Sequence, residues 1–243
     1  MIATSTSIRI GIYGSEEAPS NEGRGCGLWP TGYAAAIGAA GATPVFLGDT
    51  PTRRSADENL ETIQGLVWTS SLRTGALPSS EEQRVCRWCR KNRLPLLAVD
   101  HALHALNVIF GGTVHLNLAL ERPEALQHRH PPEKGLRHAI NVLPDTRLAG
   151  MYGEGEIVVN SEHRRGIFQA AREFRVSAQA LDGIIEAIEA ENPDWFAVGV
   201  QWRPASTSAS GLDIQLFRGL IEAAEQRLRA PAKAQRAACT SAA

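Results

Sequence analysis

Apolar and polar residues alternate with a period of two over residues 7–13, Ser-Ile-Arg-Ile-Gly-Ile-Tyr, which predicts a first strand. Residues 14–30 are rich in Gly, Ser, Glu, Asn and Pro and read as a long loop. An alanine-rich apolar run over 31–40 predicts a helix, with Gly41 placed to end it. Further strands are predicted at 43–47, 65–69 and 95–99, with helical patterns at 55–63 and 79–92 between them. Helix 101–110 then stops at Gly111-Gly112. Strand and helix in alternation predict a parallel sheet covered on both faces.

Beyond residue 113 the pattern changes. Strand-like segments at 138–143, 156–160, 175–181, 184–189 and 195–202 follow closely, without long helices between them, and Asp182-Gly183 is a hairpin signal. An amphipathic helix is predicted over about 210–228. Residues 1–229 read as a single domain and 230–243, rich in Ala, Pro, Lys and Ser, as a disordered tail. The Gly23-Arg24-Gly25-Cys26-Gly27 run lacks the strand–loop–helix spacing of a phosphate loop and reads as flexible.

Composition narrows the function classes. A chain of 243 residues, 43% of them hydrophobic, is long enough to bury one full core. A net charge of −1 removes the electrostatic argument for nucleic acid or an anionic membrane. No apolar run is long enough to span a bilayer, and residues 1–7 lack an apolar signal core, so a soluble, cytoplasmic protein is expected. Cys86 and Cys89 form a C-x-x-C late in the predicted helix 79–92, not at the helix N-terminus where a redox pair sits, and read as buried thiols. His128 and His130 flank Arg129, and His101 and His104 are three residues apart on a helix. No carboxylate stands out as their partner, so they read as solvated or capping residues, and neither a metal nor a cofactor is expected.

One segment carries the chemistry. Residues 95–102, Pro-Leu-Leu-Ala-Val-Asp-His-Ala, run from an apolar strand into a helix through a sharp turn at Asp100. That is the layout of a nucleophile elbow, which lifts a reactive side chain above the edge of a parallel sheet. The residue lifted here is a carboxylate.

Several segments together resemble the class I glutamine amidotransferase superfamily, and within it the γ-glutamyl-γ-aminobutyrate hydrolase (peptidase C26) group. They are Tyr33 to Gly41, Gly65-Leu-Val-Trp, Pro95-Leu-Leu-Ala-Val, Gly111-Gly-Thr-Val-His115, Val159-Asn-Ser-Glu-His163, Asp182-Gly-Ile-Ile-Glu-Ala187 and Val198-Gly-Val-Gln-Trp-Arg-Pro204. The resemblance implies a three-layer α/β/α, flavodoxin-like fold with a central, mostly parallel sheet and a small antiparallel strand set. It also implies a catalytic cysteine, histidine and glutamate at positions where this chain has Asp100, Arg203 and Ala205. The family's small-residue turn, which helps build an oxyanion hole, is matched here by Thr69-Ser70-Ser71. The pocket would draw on Ser70, Asp100, His101, Asn160, Ser161, His163 and Arg165.

Thiol chemistry does not survive these departures. No cysteine lies between Cys89 and Cys239, and all seven histidines fall between His101 and His163. Arginine keeps its proton near neutral pH and cannot act as a general base. The expectation is a pseudoenzyme in which Asp100 and Arg203 approach as an ion pair. It would act by binding a small γ-glutamyl or carboxylate ligand, a partner protein, or a second copy of itself. The alternative is a hydrolase of γ-glutamyl or related C–N bonds in which Asp100 is the nucleophile and His101 or His163 the base.

Overall fold

The period-two strands and the helices between them assemble around one sheet. The structure is a computed structural model that describes residues 7–14, 16–17, 27–28, 31–47, 56–69, 77–129 and 136–230. In chain order the elements are β1 (Arg9–Tyr13), β2 (Glu16–Glu17), β3 (Gly27–Leu28), α1 (Thr31–Ala39), β4 (Thr43–Leu47), α2 (Ala56–Glu61) and β5 (Gly65–Trp68). Then come α3 (Ser80–Asn92), β6 (Leu96–Val99), α4 (His101–Ile109), β7 (Thr113–His115), α5 (Leu118–Glu121), β8 (Arg137–Val142), α6 (Arg147–Tyr152) and β9 (Gly155–Asn160). Strands β10 (Gly166–Gln169), β11 (Phe174–Ala180), β12 (Ile185–Ala190) and β13 (Ala197–Val200), a 3-10 turn at Gly211–Asp213 and α7 (Ile214–Arg229) complete the chain.

The main path of the 11-stranded sheet runs β4-β1-β5-β6-β13-β12-β11-β8-β9, with β10 pairing β12 and β7. Strands β4, β1, β5, β6 and β13 are mutually parallel. From β12 onward the pairs are antiparallel. The fold is therefore the α/β class the sequence implies, with the antiparallel strands continuing the parallel sheet. Alternate residues of a strand face opposite sides, and the core divides accordingly. Leu97 and Val99 of β6 pack with Tyr33, Ile37, Leu148, Leu216 and Phe217, from α1, α6 and α7. Leu96 and Ala98 pack with Leu60, Val85, Cys86, Leu103 and Leu106, from α2, α3 and α4.

The short elements β7, α5, α6 and β10 are not predicted by the pattern, because their three to six residues show neither period clearly. Helix α6 is instead held from outside. Thr146 accepts from Ala149 N at 3.0 Å, and Glu189 accepts from Arg147 N and Leu148 N at 2.9 and 3.1 Å. The expected loop at 14–30 contains the small β2–β3 hairpin; its other residues beyond Gly14, and most of the glycine run, lie outside the described residues. So do 231–243, the expected tail. Among the described residues no helix is long and apolar enough to cross a membrane.

Candidate functional site

Strand β6 is buried throughout and gives way at once to α4, leaving Asp100 as the single residue of the turn. Asp100 has φ 55° and ψ −114°, a conformation that costs a non-glycine residue about 1–3 kcal/mol. Its backbone is fixed on both sides. The N–H donates to Val200 O at 2.9 Å, and the carbonyl accepts from Leu103 N at 3.0 Å. The side chain caps no helical N–H. It turns instead to Arg203, whose Nε and Nη2 both donate to Oδ2, at 3.0 and 2.8 Å. The fork closes on one oxygen, because Oδ1 accepts from Gln201 Nε2 at 3.1 Å. Burial opposes the charge on Asp100, but the Arg203 guanidinium outweighs it and holds the carboxyl below the usual range.

The same amide sets the state of His104. With Gln201 Nε2 spent on Asp100, Oε1 is the acceptor for His104 Nε2 at 2.7 Å. Burial pushes this imidazole down to about 4, so it is neutral at physiological pH, with the hydrogen on Nε2. Gln201 belongs to one of the segments that carry the family resemblance, yet its residue type alone does not mark it as a site residue. Its role becomes visible only when β13 lies beside the elbow.

The expected pocket residues divide. Asn160 and Ser161 spend their polar atoms on the chain. Asn160 Oδ1 accepts from Arg203 N at 2.9 Å and its Nδ2 donates to Arg203 O at 3.0 Å, while Ser161 Oγ donates to His128 O at 2.8 Å. They position the backbone of Arg203 and of the 122–129 loop. His101 is exposed, its ring centroid 6.0 Å from that of His104. Arg165 is half-buried, and its carbonyl accepts from His163 Nδ1 at 2.7 Å. Ala205 brings a methyl where the resemblance implies a carboxylate, and the loop carrying it passes so close to Gly32 that a Cβ there would collide with the Ala205 carbonyl. Ser70 and Ser71 lie outside the described residues; Thr69 donates its hydroxyl to Tyr13 O at 3.3 Å. The C-x-x-C is inert as expected: Cys86 and Cys89 are buried, and burial pushes the Cys86 thiol up to about 12.

The reading of the histidines needs correction. His128 is buried, neither solvated nor capping, and it shares a carboxylate partner with the buried His163 and the half-buried His138. Strand β12 places Glu186, fully buried, with Oε1 3.4 Å from His128 Nδ1, 3.6 Å from His138 Nε2 and 3.3 Å from His163 Nε2. Burial disfavours charge on both members of the tightest pair, yet Glu186 draws His163 upward and His163 holds Glu186 down. His128 and His163 also line a cleft of about 430 Å³, with Arg122, Arg129 and Arg164 around it. His130 is outside the described residues. Glu186 left a faint signal in the sequence: two acids, Glu186 and Glu189, interrupt an otherwise apolar strand that is buried throughout.

Similarity to known proteins bears on the family and the fold. The peptidase C26 family profile matches residues 79–205. The γ-glutamyl-γ-aminobutyrate hydrolase PuuD of Escherichia coli (strain K12) is 34% identical over 146 residues, 57% of this chain and 57% of that enzyme. The match thus spans little more than half of that relative. A Mycobacterium tuberculosis protein whose name places it among the glutamine amidotransferases is 30% identical over 218 residues, 82% of this chain and 68% of its own length. Among solved structures, a Thermoplasma acidophilum protein named for a GMP synthase component superposes with a TM-score of 0.66 at 14% identity, covering 90% of this chain and 95% of that one. That last likeness concerns the fold.

Proposed function

Since this chain belongs to the peptidase C26 family, we propose that it is a member whose cysteine-hydrolase machinery has been replaced, and that it acts by binding. The observation that carries this reading is the closed elbow. Both oxygens of Asp100 are occupied, by Arg203 and by Gln201, so the group aimed at the reaction centre is an already paired anion. A thiolate–imidazole pair has given way to a carboxylate–guanidinium pair that neither attacks a carbonyl nor shuttles a proton near neutral pH. The ligand class is a small γ-glutamyl or other carboxylate compound, because the cleft lined by His128 and His163, rather than by the elbow itself, carries Arg122, Arg129 and Arg164. Buried free thiols suit a cytoplasmic protein.

A second reading rests on the strained elbow, which the chain retains at φ 55°. In it, Asp100 attacks and a histidine assists. Of the two histidines that could assist, His101 is exposed and His163 has its Nδ1 on Arg165 O at 2.7 Å and its Nε2 facing Glu186 at 3.3 Å, which weighs against it.

The experiment compares the protein, Asp100→Ala, and a triple variant Asp100→Cys/Arg203→His/Ala205→Glu against γ-glutamyl amides. Expected are no turnover by the unmodified protein, a thermal midpoint raised by a bound γ-glutamyl compound, and measurable hydrolysis by the triple variant. Turnover that disappears in Asp100→Ala would establish the second reading and end the first.

A further inference from the structure

We propose that His128, His138, His163 and Glu186 form a binding site for one divalent transition-metal ion of the Zn²⁺ type. The site stands whatever the fate of the elbow. The four donor atoms lie within 4.8 Å of one another. They come from the 122–129 loop, β8, the turn after β9, and β12.

The outward-facing nitrogens fix the tautomers. His128 Nε2 is 2.9 Å from Asp182 Oδ2, His163 Nδ1 is 2.7 Å from Arg165 O, and His138 Nδ1 is 3.2 Å from Ala139 O. Each of these acceptors is an oxygen, so each outer nitrogen carries the hydrogen. A neutral imidazole then has a bare lone pair on its other nitrogen. In their neutral state His128 Nδ1, His138 Nε2 and His163 Nε2 present lone pairs to a carboxylate, and a metal ion bound there would displace the proton that Glu186 favours on His163. None of these three nitrogens, and neither oxygen of Glu186, makes a hydrogen bond among the described residues. Electron-pair donors meet here with no hydrogen-bond partner among the described residues, and buried polar atoms are rarely left in that state.

The same strand supplies a comparison. Glu189, as buried as Glu186, accepts from Arg147 N, Leu148 N, and Nε and Nη2 of Arg175. The fold therefore satisfies the buried Glu189 with N–H donors and surrounds Glu186 with imidazole nitrogens instead.

Distance and chemistry agree. The separations of 3.3, 3.4 and 3.6 Å from Glu186 Oε1 exceed the usual ~2.7–3.2 Å of an N–H···O bond. Ligands held ~2.0–2.1 Å from a tetrahedral ion lie about 3.3–3.4 Å apart, which those separations approach. Three imidazoles and one carboxylate suit Zn²⁺, Co²⁺ or Ni²⁺ better than Mg²⁺ or Ca²⁺, which prefer oxygen. Asp182 behind His128 and the two backbone carbonyls are the outer partners that fix ring orientation in such sites. Four protein donors fill a tetrahedron, which marks the site as structural, clamping one wall of the cleft to the antiparallel strands.

The test uses the full chain, purified without a metal resin, stripped with chelator, dialysed, and titrated with Zn²⁺ or Co²⁺ alone. Expected are uptake of one equivalent, visible Co²⁺ bands of a tetrahedral centre, and a raised thermal midpoint. Asp182→Asn should weaken Zn²⁺ binding about 10–100-fold. Glu186→Gln and His138→Ala should abolish it, while His115→Gln, outside the cluster, should bind as the unmodified protein does. If Glu186→Gln fails to fold, His138→Ala at the rim of the cluster decides. Absent uptake, uptake indifferent to both ligand substitutions, or a persistent Nε2 proton on His163 by NMR under excess Zn²⁺ would each overturn the proposal.

Discussion

A single amide, that of Gln201, joins an acid and an imidazole of the elbow and fixes the tautomer of the imidazole, whose charge is set by burial. Asp100 takes its N–H and His104 gives to its oxygen. The consequence for stability is readable. His104 has a folded value of about 4 against an ordinary 6.5, so the unfolded chain takes up the proton first as pH falls. Its stabilising contribution is complete above pH ~6.5, declines through the interval, and is gone below pH ~4, a loss on the order of 3 kcal/mol. His104→Gln keeps a donor for Gln201 and removes the titration. Denaturant melts of the two proteins should therefore diverge between pH 6.5 and 4, with the variant falling less steeply; parallel curves would refute the assignment. Asp100 and Arg203 were legible in the sequence because the departures from the family pattern fell on two positions that must touch. Glu186 was legible only as an acid in an apolar strand, since its three partners lie between residues 128 and 163 and come together only when β12, β11, β8 and β9 align in the sheet.

Elements of eight or more residues declare themselves through repetition. Helix α3 buries Val85, Cys86 and Cys89 on one face and begins at a capping box, in which Ser79 accepts from Glu82 N at 3.2 Å and Ser79 N donates to Glu82 at 2.7 Å. Its expected span and the observed one agree to a residue, and the thiols point inward as the pattern requires. Cys86 and Cys89 should accordingly escape iodoacetamide at pH 8 in the folded protein and react in denaturant, with the peptides distinguished by mass spectrometry. Labelling of either in the native state would contradict their burial. The short elements were silent for the complementary reason. Helix α6 takes its support from Glu189, a residue some forty positions later, so no local window contains the cause of its formation.

At the scale of the molecule, alternation of strands and helices revealed a parallel sheet, and the closely spaced strands after residue 113 revealed an antiparallel set. What no periodicity could reveal is that the two are one sheet, because the join is made by β13, late in the chain yet central in space. Strand β13 pairs with β6 on one side and β12 on the other. This order has a consequence during synthesis. Leu96–Val99 of β6 is apolar and buried on both faces in the finished fold, and one of its edges has no partner until Ala197–Val200 emerges, roughly a hundred residues and ~5–20 s later. A nascent chain of this length carries an open, hydrophobic strand edge of the kind that recruits other chains. A protein ending at Asp194 should therefore collect in the insoluble fraction on expression, whereas one ending at Ala230 should stay soluble; a soluble, monomeric shorter chain would show that the edge is protected by other means. For this fold the hazard lies in the interval before its last central strand arrives, and holding that one edge apart is the service a chaperone would render.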